Sequence, residues 1–171
     1  MHIPKSFIPD MRTNHSGETG AIFIYKGILS ITNDKEVKKF AINHLKTETK
    51  HLEKLEKIIP DSEKSKLLNL WKIFGFMTGF IPALIGKKFV FATIYYVESF
   101  VEQHYNNQIL SLPRYKSAEK LKCLLTSLKD DEINHKTEAL NEINRLNIFI
   151  KLWGKIVQFG SKVAVFISYK I

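Results

Sequence analysis

Apolar residues recur every three to four positions along most of this chain, a spacing that places them on one face of an α-helix. Turn-forming residues such as Thr32-Asn33-Asp34 and Pro60-Asp61-Ser62 divide the pattern into segments. The segments predicted to be helical are 11–31, 35–59, 67–86, 88–112, 117–146 and 147–171. Residues 1–10 precede them as an arm that ends near Asp10, which is expected to cap the first helix.

The composition narrows the fold class before any motif is considered. The chain has 171 residues with only 8 glycines and 5 prolines, and so few helix-breaking residues favour an all-α fold. Its length and the lack of a low-complexity linker in the sequence predict a single domain over residues 1–171. One cysteine, Cys123, excludes an intramolecular disulfide framework and a cysteine-based zinc site.

The third predicted helix is unusually apolar. Residues 73–86 form a run of 14 positions without a charge, whereas a helix needs roughly 20 apolar residues to cross a bilayer. The segment can therefore be a buried core helix or a helix that lies in the membrane interface. Its aromatic residues, its glycines and the flanking Lys72, Lys87 and Lys88 favour the interfacial alternative.

The last predicted helix and the overall charge favour a membrane surface as a partner. Residues 147–171 combine apolar positions with Lys151, Lys155 and Lys162, a pattern typical of an amphipathic basic helix that binds a membrane or covers a core. The formal net charge is +9, almost entirely from lysine. Such a surface attracts anionic lipid or nucleic acid, but we find no nucleic-acid-binding motif. We expect an anionic membrane and no nucleic acid; a lysine-rich composition without a binding role is the alternative.

Two short motifs place a histidine three residues after a glutamate, at Glu48–His51 and Glu132–His135. Residues three apart lie on the same face of a helix, so each pair directs a carboxylate and an imidazole toward one point. Oxygen and nitrogen donors in this combination make half of a metal site. A dinuclear site in a four-helix bundle takes two such motifs and one glutamate from each of the other two helices.

The two additional glutamates are expected from the first and fourth helices. Glu18 is the only acidic residue of the first helix after its cap, and the fourth helix offers Glu98 and, one turn later, Glu102. Residues of an antiparallel hairpin meet at one height when they are equally far from the turn, because each residue rises about 1.5 Å. Glu18 and Glu48 meet this condition, since their midpoint is Asn33 in the first turn.

The same condition selects the second pair. Glu98 and Glu132 have their midpoint beside the predicted break at Pro113-Arg114, whereas Glu102 would move the midpoint past that break. The chain thus contains the order glutamate, turn and Glu-x-x-His twice, as a repeat of two helical hairpins. Burying four carboxylates and two imidazoles in a bundle is costly unless cations neutralise them.

The ligand types indicate which metal the site would hold. Four glutamates match the charge of two Fe²⁺ ions, and one histidine per metal favours iron or manganese over magnesium or calcium. The alternative is that Glu48 and Glu132, which lie near Lys50 and Lys136 in the sequence, belong to ordinary solvated helix faces.

Several stretches together resemble one known family. They are 14–21 (NHSGETGA), 48–51 (ETKH), 74–87, 97–99 (VES), 104–108 (HYNNQ) and 132–135 (EINH). Over nearly the whole chain the sequence resembles the demethoxyubiquinone hydroxylase family of ferritin-like di-iron proteins. One departure is Asn14, which stands where an acidic residue is expected, at a position that is not a metal ligand.

The resemblance implies a ferritin-like four-helix bundle with two additional membrane-facing helices, apolar at 67–86 and amphipathic at 147–171. It implies an O₂-dependent monooxygenase of ubiquinone biosynthesis that holds two iron ions and hydroxylates the ring of demethoxyubiquinol; the reductant stays open. The implied metal ligands are Glu18, Glu48, His51, Glu98, Glu132 and His135, of which Glu48 and Glu132 bridge the ions. Tyr105 and His104 are candidate catalytic residues that tune protons or electrons, and helix packing is the alternative for both.

The implied substrate is membrane-borne, so we expect a peripheral membrane protein. Its location would be the cytoplasmic face of the cell membrane, or the matrix face of the inner membrane in an organelle. The first residues lead into no apolar signal segment, which agrees with this expectation. A homodimer or accessory ubiquinone-synthesis proteins are the other partners considered. The sequence leaves two other functions open: a ferritin-like iron-binding or ferroxidase protein, and a non-catalytic lipid-binding scaffold subunit.

Overall fold

The computed structural model of the protein describes residues 3–113, 118–143 and 146–171. Within these residues the chain forms six α-helices and no strand, so the predicted all-α fold is confirmed. The helices are α1 (Ile8–Ile31), α2 (Lys35–Glu56), α3 (Leu68–Ile85), α4 (Lys87–Ser111), α5 (Glu119–Asn141) and α6 (Ile148–Lys170). Two short 3-10 turns, Lys5–Phe7 and Asp61–Glu63, precede α1 and α3.

The start of α1 differs from the prediction. The helix begins at Ile8 rather than Met11, and Asp10 lies in its first turn instead of capping it. Pro9 occupies an early helical position, where its missing N–H group costs no intrahelical hydrogen bond. The carboxylate of Asp10 is still close to the positive end of the helix dipole, which favours a negative charge there.

Two later helix ends also differ. α2 ends at Glu56, before the predicted Ile59, because the residues ahead of Pro60 leave the helical conformation. α5 ends at Asn141 and not at residue 146. The predicted break residue Arg114 and the predicted helix start at Ser117 lie outside the described residues.

The hairpins α1–α2 and α4–α5 form the four-helix bundle that was predicted. α1 and α4 run antiparallel against each other. Hydrogen bonds join Asn14 to Gln108 near one end of this pair of helices and Tyr25 to Glu98 further along it. This arrangement places the glutamates of α1 and α4 in the middle of the bundle, facing α2 and α5.

Two apolar clusters fill the bundle, one toward each end. The first contains Tyr25, Ile28, Phe40, Phe91 and Ile94. The second contains Met11, Leu55, Tyr105, Leu121, Leu125 and Leu128. On α1, α2, α4 and α5 a layer of residues separates the two clusters, and this layer carries buried glutamates and histidines.

α3 packs along α1 in a parallel orientation, with glycines at the contact. A Cβ atom added to Gly75 would lie 2.3 Å from the carbonyl oxygen of Gly20, and one added to Gly79 would lie 1.9 Å from that of Ile24. The face of α3 that looks away from α1 is exposed, and only 22% of its 18 residues are buried. Among the described helices, α3 alone has the length and composition to cross a membrane. It is therefore not a buried core helix.

α6 packs on α4 and α1. The indole N–H of Trp153 donates a hydrogen bond to Thr93 Oγ1 at 2.7 Å, and the guanidinium of Arg12 donates to the carbonyl oxygen of Tyr169 at 3.3 Å. The helix also leaves large apolar side chains exposed, which are Ile148, Phe149, Leu152, Ile156, Phe159 and Phe166. The predicted amphipathic helix is thus present, with an apolar face that the bundle does not cover.

We expect Gly79→Ala to lower the free energy of unfolding, because the new methyl group would collide with the backbone of α1. Overpacking of this kind costs about 1–3 kcal/mol. Gly160→Ala is the matched control, since a Cβ at this α6 glycine meets nothing within 4 Å. The control should gain up to about 1 kcal/mol from better helix propensity. Urea unfolding measures both, and equal stability of the two variants would refute the close α1–α3 contact.

Candidate metal centre

The buried polar layer contains all six residues that the sequence analysis named as ligands. Glu18 comes from α1, Glu48 and His51 from α2, Glu98 from α4, and Glu132 and His135 from α5. Each of these residues is at most 4% exposed. The i, i+3 spacing in α2 and α5 directs both members of each Glu-x-x-His motif into the bundle, as the helical repeat requires.

The six residues form two overlapping groups whose donor atoms all lie within 4.8 Å of one another. One group is Glu18, Glu48, His51 and Glu132, and the other is Glu48, Glu98, Glu132 and His135. Glu48 and Glu132 belong to both groups. The two hairpins therefore bring their glutamates to the same height, as the equal distances from the turns predicted. Glu102, the weaker candidate on α4, instead pairs with Lys136.

The two shared glutamates each direct one oxygen to each histidine. Glu48 Oε2 lies 3.6 Å from His51 Nδ1, and Glu48 Oε1 lies 3.0 Å from His135 Nδ1. Glu132 Oε1 and Oε2 each lie 3.1 Å from the Nδ1 atoms of His51 and His135 respectively. Each shared glutamate therefore faces both histidines, with one oxygen directed toward each imidazole.

Several atoms of this layer lack hydrogen bonds. Glu48 Oε1, both oxygens of Glu132 and the Nδ1 atoms of His51 and His135 are buried and form no aligned hydrogen bond within the described part of the chain. The short nitrogen–oxygen distances do not remove this deficit, because the groups are not oriented along a donor–acceptor line. Buried polar atoms rarely stay unpaired. The layer therefore fits a group that is not part of the polypeptide, and a cation suits its charge.

The protonation behaviour of the protein alone agrees with this conclusion. Burial raises the pKa of Glu18 to about 7 and the pKa of Glu98 well above its ordinary value. Burial alone would lower the pKa of His135, but the carboxylates of Glu132 and Glu48 outweigh it and raise that pKa to about 11. The raised pKa values favour the protonated forms of these groups, which lowers the net negative charge of the buried layer in the protein alone.

A further set of polar residues surrounds the six. His51 Nε2 lies 3.0 Å from Asp131 Oδ2, a contact that fixes the imidazole ring with Nδ1 toward the carboxylates. His44 lies with its ring centre 4.0 Å from that of His135 and contacts Glu138 at 2.9 Å through Nε2. Sequence reasoning did not assign roles to Asp131 or His44, although Asp131 adjoins Glu132 in the motif.

The two candidate catalytic residues on α4 occupy different surroundings. The phenol of Tyr105 donates a hydrogen bond to Glu18 Oε1 and so contacts the site directly. His104 Nε2 lies 3.0 Å from Thr13 Oγ1 and 2.9 Å from Gln108 Nε2, away from the six carboxylate and imidazole side chains. The structure therefore brings Tyr105, and not His104, to the cluster.

The departure at Asn14 also has a structural explanation. The amides of Asn14 and Gln108 exchange two hydrogen bonds of 2.9 Å, one in each direction. An amide is the side chain that can both donate and accept in this pairing, whereas an ionised carboxylate only accepts. The position stays outside the cluster, as the sequence analysis expected.

Comparison with known proteins gives the family. A model of the family described as "Ubiquinone biosynthesis protein COQ7" matches residues 7–168. The chain belongs to the COQ7 family. The resemblance stated from the sequence motifs is thereby confirmed, and the COQ7 match includes all of α1–α5 and most of α6.

Curated relatives support the COQ7 assignment. The rat protein named "NADPH-dependent 3-demethoxyubiquinone 3-hydroxylase, mitochondrial" is 31% identical, over 92% of this chain and 75% of the relative. The human protein of the same name is 29% identical, over 94% and 76%. A Rhodospirillum rubrum protein named "3-demethoxyubiquinol 3-hydroxylase" is 27% identical, also over 94% and 76%.

We expect this COQ7-family chain to bind two Fe²⁺ ions under anaerobic conditions, with a rise in melting temperature because the ions bind only the folded protein. Glu132→Gln should lower the affinity for both ions, since Glu132 belongs to both groups. The loss should exceed the roughly tenfold loss in affinity that is typical when a hydrogen bond to a metal ligand is removed. Glu98→Gln should lower the affinity for one ion. Chelator competition measures the affinities.

Glu102→Gln is the control for this experiment, because Glu102 lies one turn from Glu98 and pairs with Lys136 at the surface. It should retain two tightly bound ions. If Glu132→Gln bound two ions as tightly as the wild type, the proposal that both ions share the Glu132 carboxylate would be wrong.

Proposed function

We propose that this chain is a di-iron monooxygenase that hydroxylates the ring of a demethoxyubiquinol with O₂ in ubiquinone biosynthesis. The observation that carries the proposal is the pair of glutamates, Glu48 and Glu132, which each face both His51 and His135. This geometry supports two adjacent metal positions rather than one. Membership of the COQ7 family and the printed names of the relatives support the substrate.

The residues present fit two iron ions. Glu18 and His51 would complete one position, Glu98 and His135 the other, with Glu48 and Glu132 shared. Four carboxylates balance two divalent ions, and a mixture of oxygen and imidazole nitrogen favours iron or manganese. When bound, iron supplies the redox chemistry with O₂ that no side chain can supply.

The protein itself would position and isolate the reacting groups. The two apolar clusters close the bundle on both sides of the polar layer and exclude water from it, which strengthens the electrostatic interactions inside. Asp131 orients His51, and Tyr105 holds Glu18 while keeping a proton available beside it. The contacts of His104 with Thr13 and Gln108 favour the packing alternative for that residue.

The surface of the protein suits a substrate that resides in a bilayer. α3 and α6 carry large apolar side chains that are more than half exposed, among them Ile73, Phe74, Leu84, Phe149 and Phe159. Exposed apolar area of this size marks an interaction surface, and the net charge of +9 favours an anionic membrane. We therefore propose peripheral attachment to the cytoplasmic face of the cell membrane, or to the matrix face in an organelle.

The function predicts the transfer of one oxygen atom from O₂ to the quinol. The assay combines iron-loaded protein with a demethoxyubiquinol in anionic vesicles, NADPH as the electron source and ¹⁸O₂. The product should contain one ¹⁸O atom, and the second oxygen atom should leave as water. NADPH is chosen because the human and rat relatives are named for it. Glu132→Ala should abolish the product and Glu102→Gln should retain it, as measured by mass spectrometry.

Each competing function gives a different result in this assay. Two bound irons with O₂ consumption and no oxygenated quinol would favour a ferritin-like ferroxidase. A Glu132→Ala variant with full product formation and a lower melting temperature would favour a scaffold whose metal is structural. Either result would exclude the monooxygenase.

Membrane attachment predicts that the exposed face of α6 binds vesicles. Phe159→Glu should lower the partition onto anionic vesicles by about 10- to 100-fold, because burying a phenylalanine contributes roughly 1.5–3 kcal/mol. Leu110→Glu is the control, since Leu110 is an exposed apolar residue at the end of α4. Cosedimentation with vesicles measures both variants. Wild-type protein that stays in the supernatant would rule out the membrane partner.

A further inference from the structure

Two buried tyrosines occupy equivalent places in the two hairpins. Tyr25 follows Glu18 by seven residues on α1, and Tyr105 follows Glu98 by seven residues on α4. Seven residues are about two helical turns, so each tyrosine lies on the same face as its glutamate, roughly 10 Å further along the helix. Because α1 and α4 are antiparallel, each tyrosine lies beside the glutamate of the opposite helix.

The hydrogen bonds follow this crossed pattern. The phenol of Tyr25 donates to Glu98 Oε1 at 3.3 Å, and the phenol of Tyr105 donates to Glu18 Oε1. Both tyrosines are at most 1% exposed. A phenol buried to this extent needs an acceptor, and a carboxylate acceptor gives a stronger bond than a neutral group.

At Glu18 the two carboxylate oxygens have different partners. Glu18 Oε1 accepts the hydrogen bond from Tyr105, while Glu18 Oε2 lies 3.5 Å from His51 Nδ1. One oxygen is therefore held by the phenol, and the other faces the position where a metal would lie. The Glu18 carboxylate, which belongs to only one of the two groups, is thus held in place by the protein alone.

Aromatic rings pack around Tyr25 and restrict its motion. Its ring centre lies 6.4 Å from that of Phe40 and 5.8 Å from that of His44, with the His44 ring stacked on it. The stacked His44 ring and the tilted Phe40 ring confine the Tyr25 side chain, so the donor to Glu98 has little freedom to turn away.

We propose that Tyr25 is a positioning residue for the Glu98–His135 half of the metal centre and that Tyr105 is its counterpart for the Glu18–His51 half. This inference rests on the proposed function. Each phenol holds one oxygen of the glutamate across the bundle and leaves the other carboxylate oxygen free for the metal. Each tyrosine is thus assigned to the half-site of the glutamate across the bundle, and not to the glutamate on its own helix.

Metal affinity tests this assignment without a measurement of turnover. We would titrate Co²⁺ alone into wild-type protein, Tyr25→Phe, Tyr105→Phe and the double variant, and follow binding by calorimetry. Loss of an outer hydrogen bond lowers metal affinity by about 10- to 100-fold. Each single variant should therefore bind one ion as tightly as the wild type and the other ion with lower affinity. The double variant should bind both ions with lower affinity.

Variants with a single metal position identify which half-site each tyrosine serves. His51→Ala leaves the Glu98–His135 half, and there Tyr25→Phe should weaken the remaining ion. His135→Ala leaves the Glu18–His51 half, where Tyr25→Phe should have no effect. Tyr105→Phe should show the reverse. If either histidine variant fails to fold, Glu18→Gln replaces His51→Ala and Glu98→Gln replaces His135→Ala, because each of these glutamates belongs to one group only.

Tyr95→Phe is the matched control, because Tyr95 lies on α4 and its ring packs on Tyr96 instead of on the site. It should bind two ions like the wild type, and circular dichroism should show unchanged helicity in every tyrosine variant. Two tight ions in Tyr25→Phe, or equal weakening in both histidine backgrounds, would overturn the inference while leaving the proposed function intact. Wild-type protein that binds no Co²⁺ would overturn both.

Discussion

The burial of four carboxylates in one layer of a helical bundle is the constraint on which the rest of this structure depends. The layer lies between two apolar clusters, so water cannot solvate its charges. Within the described residues, neither the helices nor the surrounding side chains supply hydrogen-bond donors to Glu48 Oε1 or to the two oxygens of Glu132. The contacts of the two site histidines and of the two tyrosines converge on this layer, whose negative charge is compatible with bound cations.

Much of this arrangement could be predicted from the sequence because it depends on helical repeat and chain length alone. Three-residue spacing puts Glu48 and His51 on one face, and equal distances from a turn bring Glu18 and Glu48 to one height. Those relations do not depend on neighbouring side chains. The helix ends were predicted less well, since the position of Asp10 inside α1 depends on local turn geometry at Pro9.

Other features could not be read from the sequence because they join residues distant along the chain. Tyr25 accompanies apolar neighbours and is indistinguishable from a packing tyrosine until the antiparallel contact of α1 and α4 brings it to Glu98. From the sequence alone, the glycines of α3 favour a helix in the membrane interface. Their structural role is different: Gly75 and Gly79 allow the backbones of α3 and α1 to touch.

That backbone contact has a mechanical consequence for any membrane-bound form of the protein. Because α3 cannot slide or tilt against α1 without a collision, the exposed face of α3 and the glutamate carried by α1 behave as one rigid piece. The depth of the site beneath the α3 surface is then set by the thickness of the packed helices, each about 10–12 Å across with its side chains. Docking on a bilayer would therefore fix the height of the metal centre above the lipid.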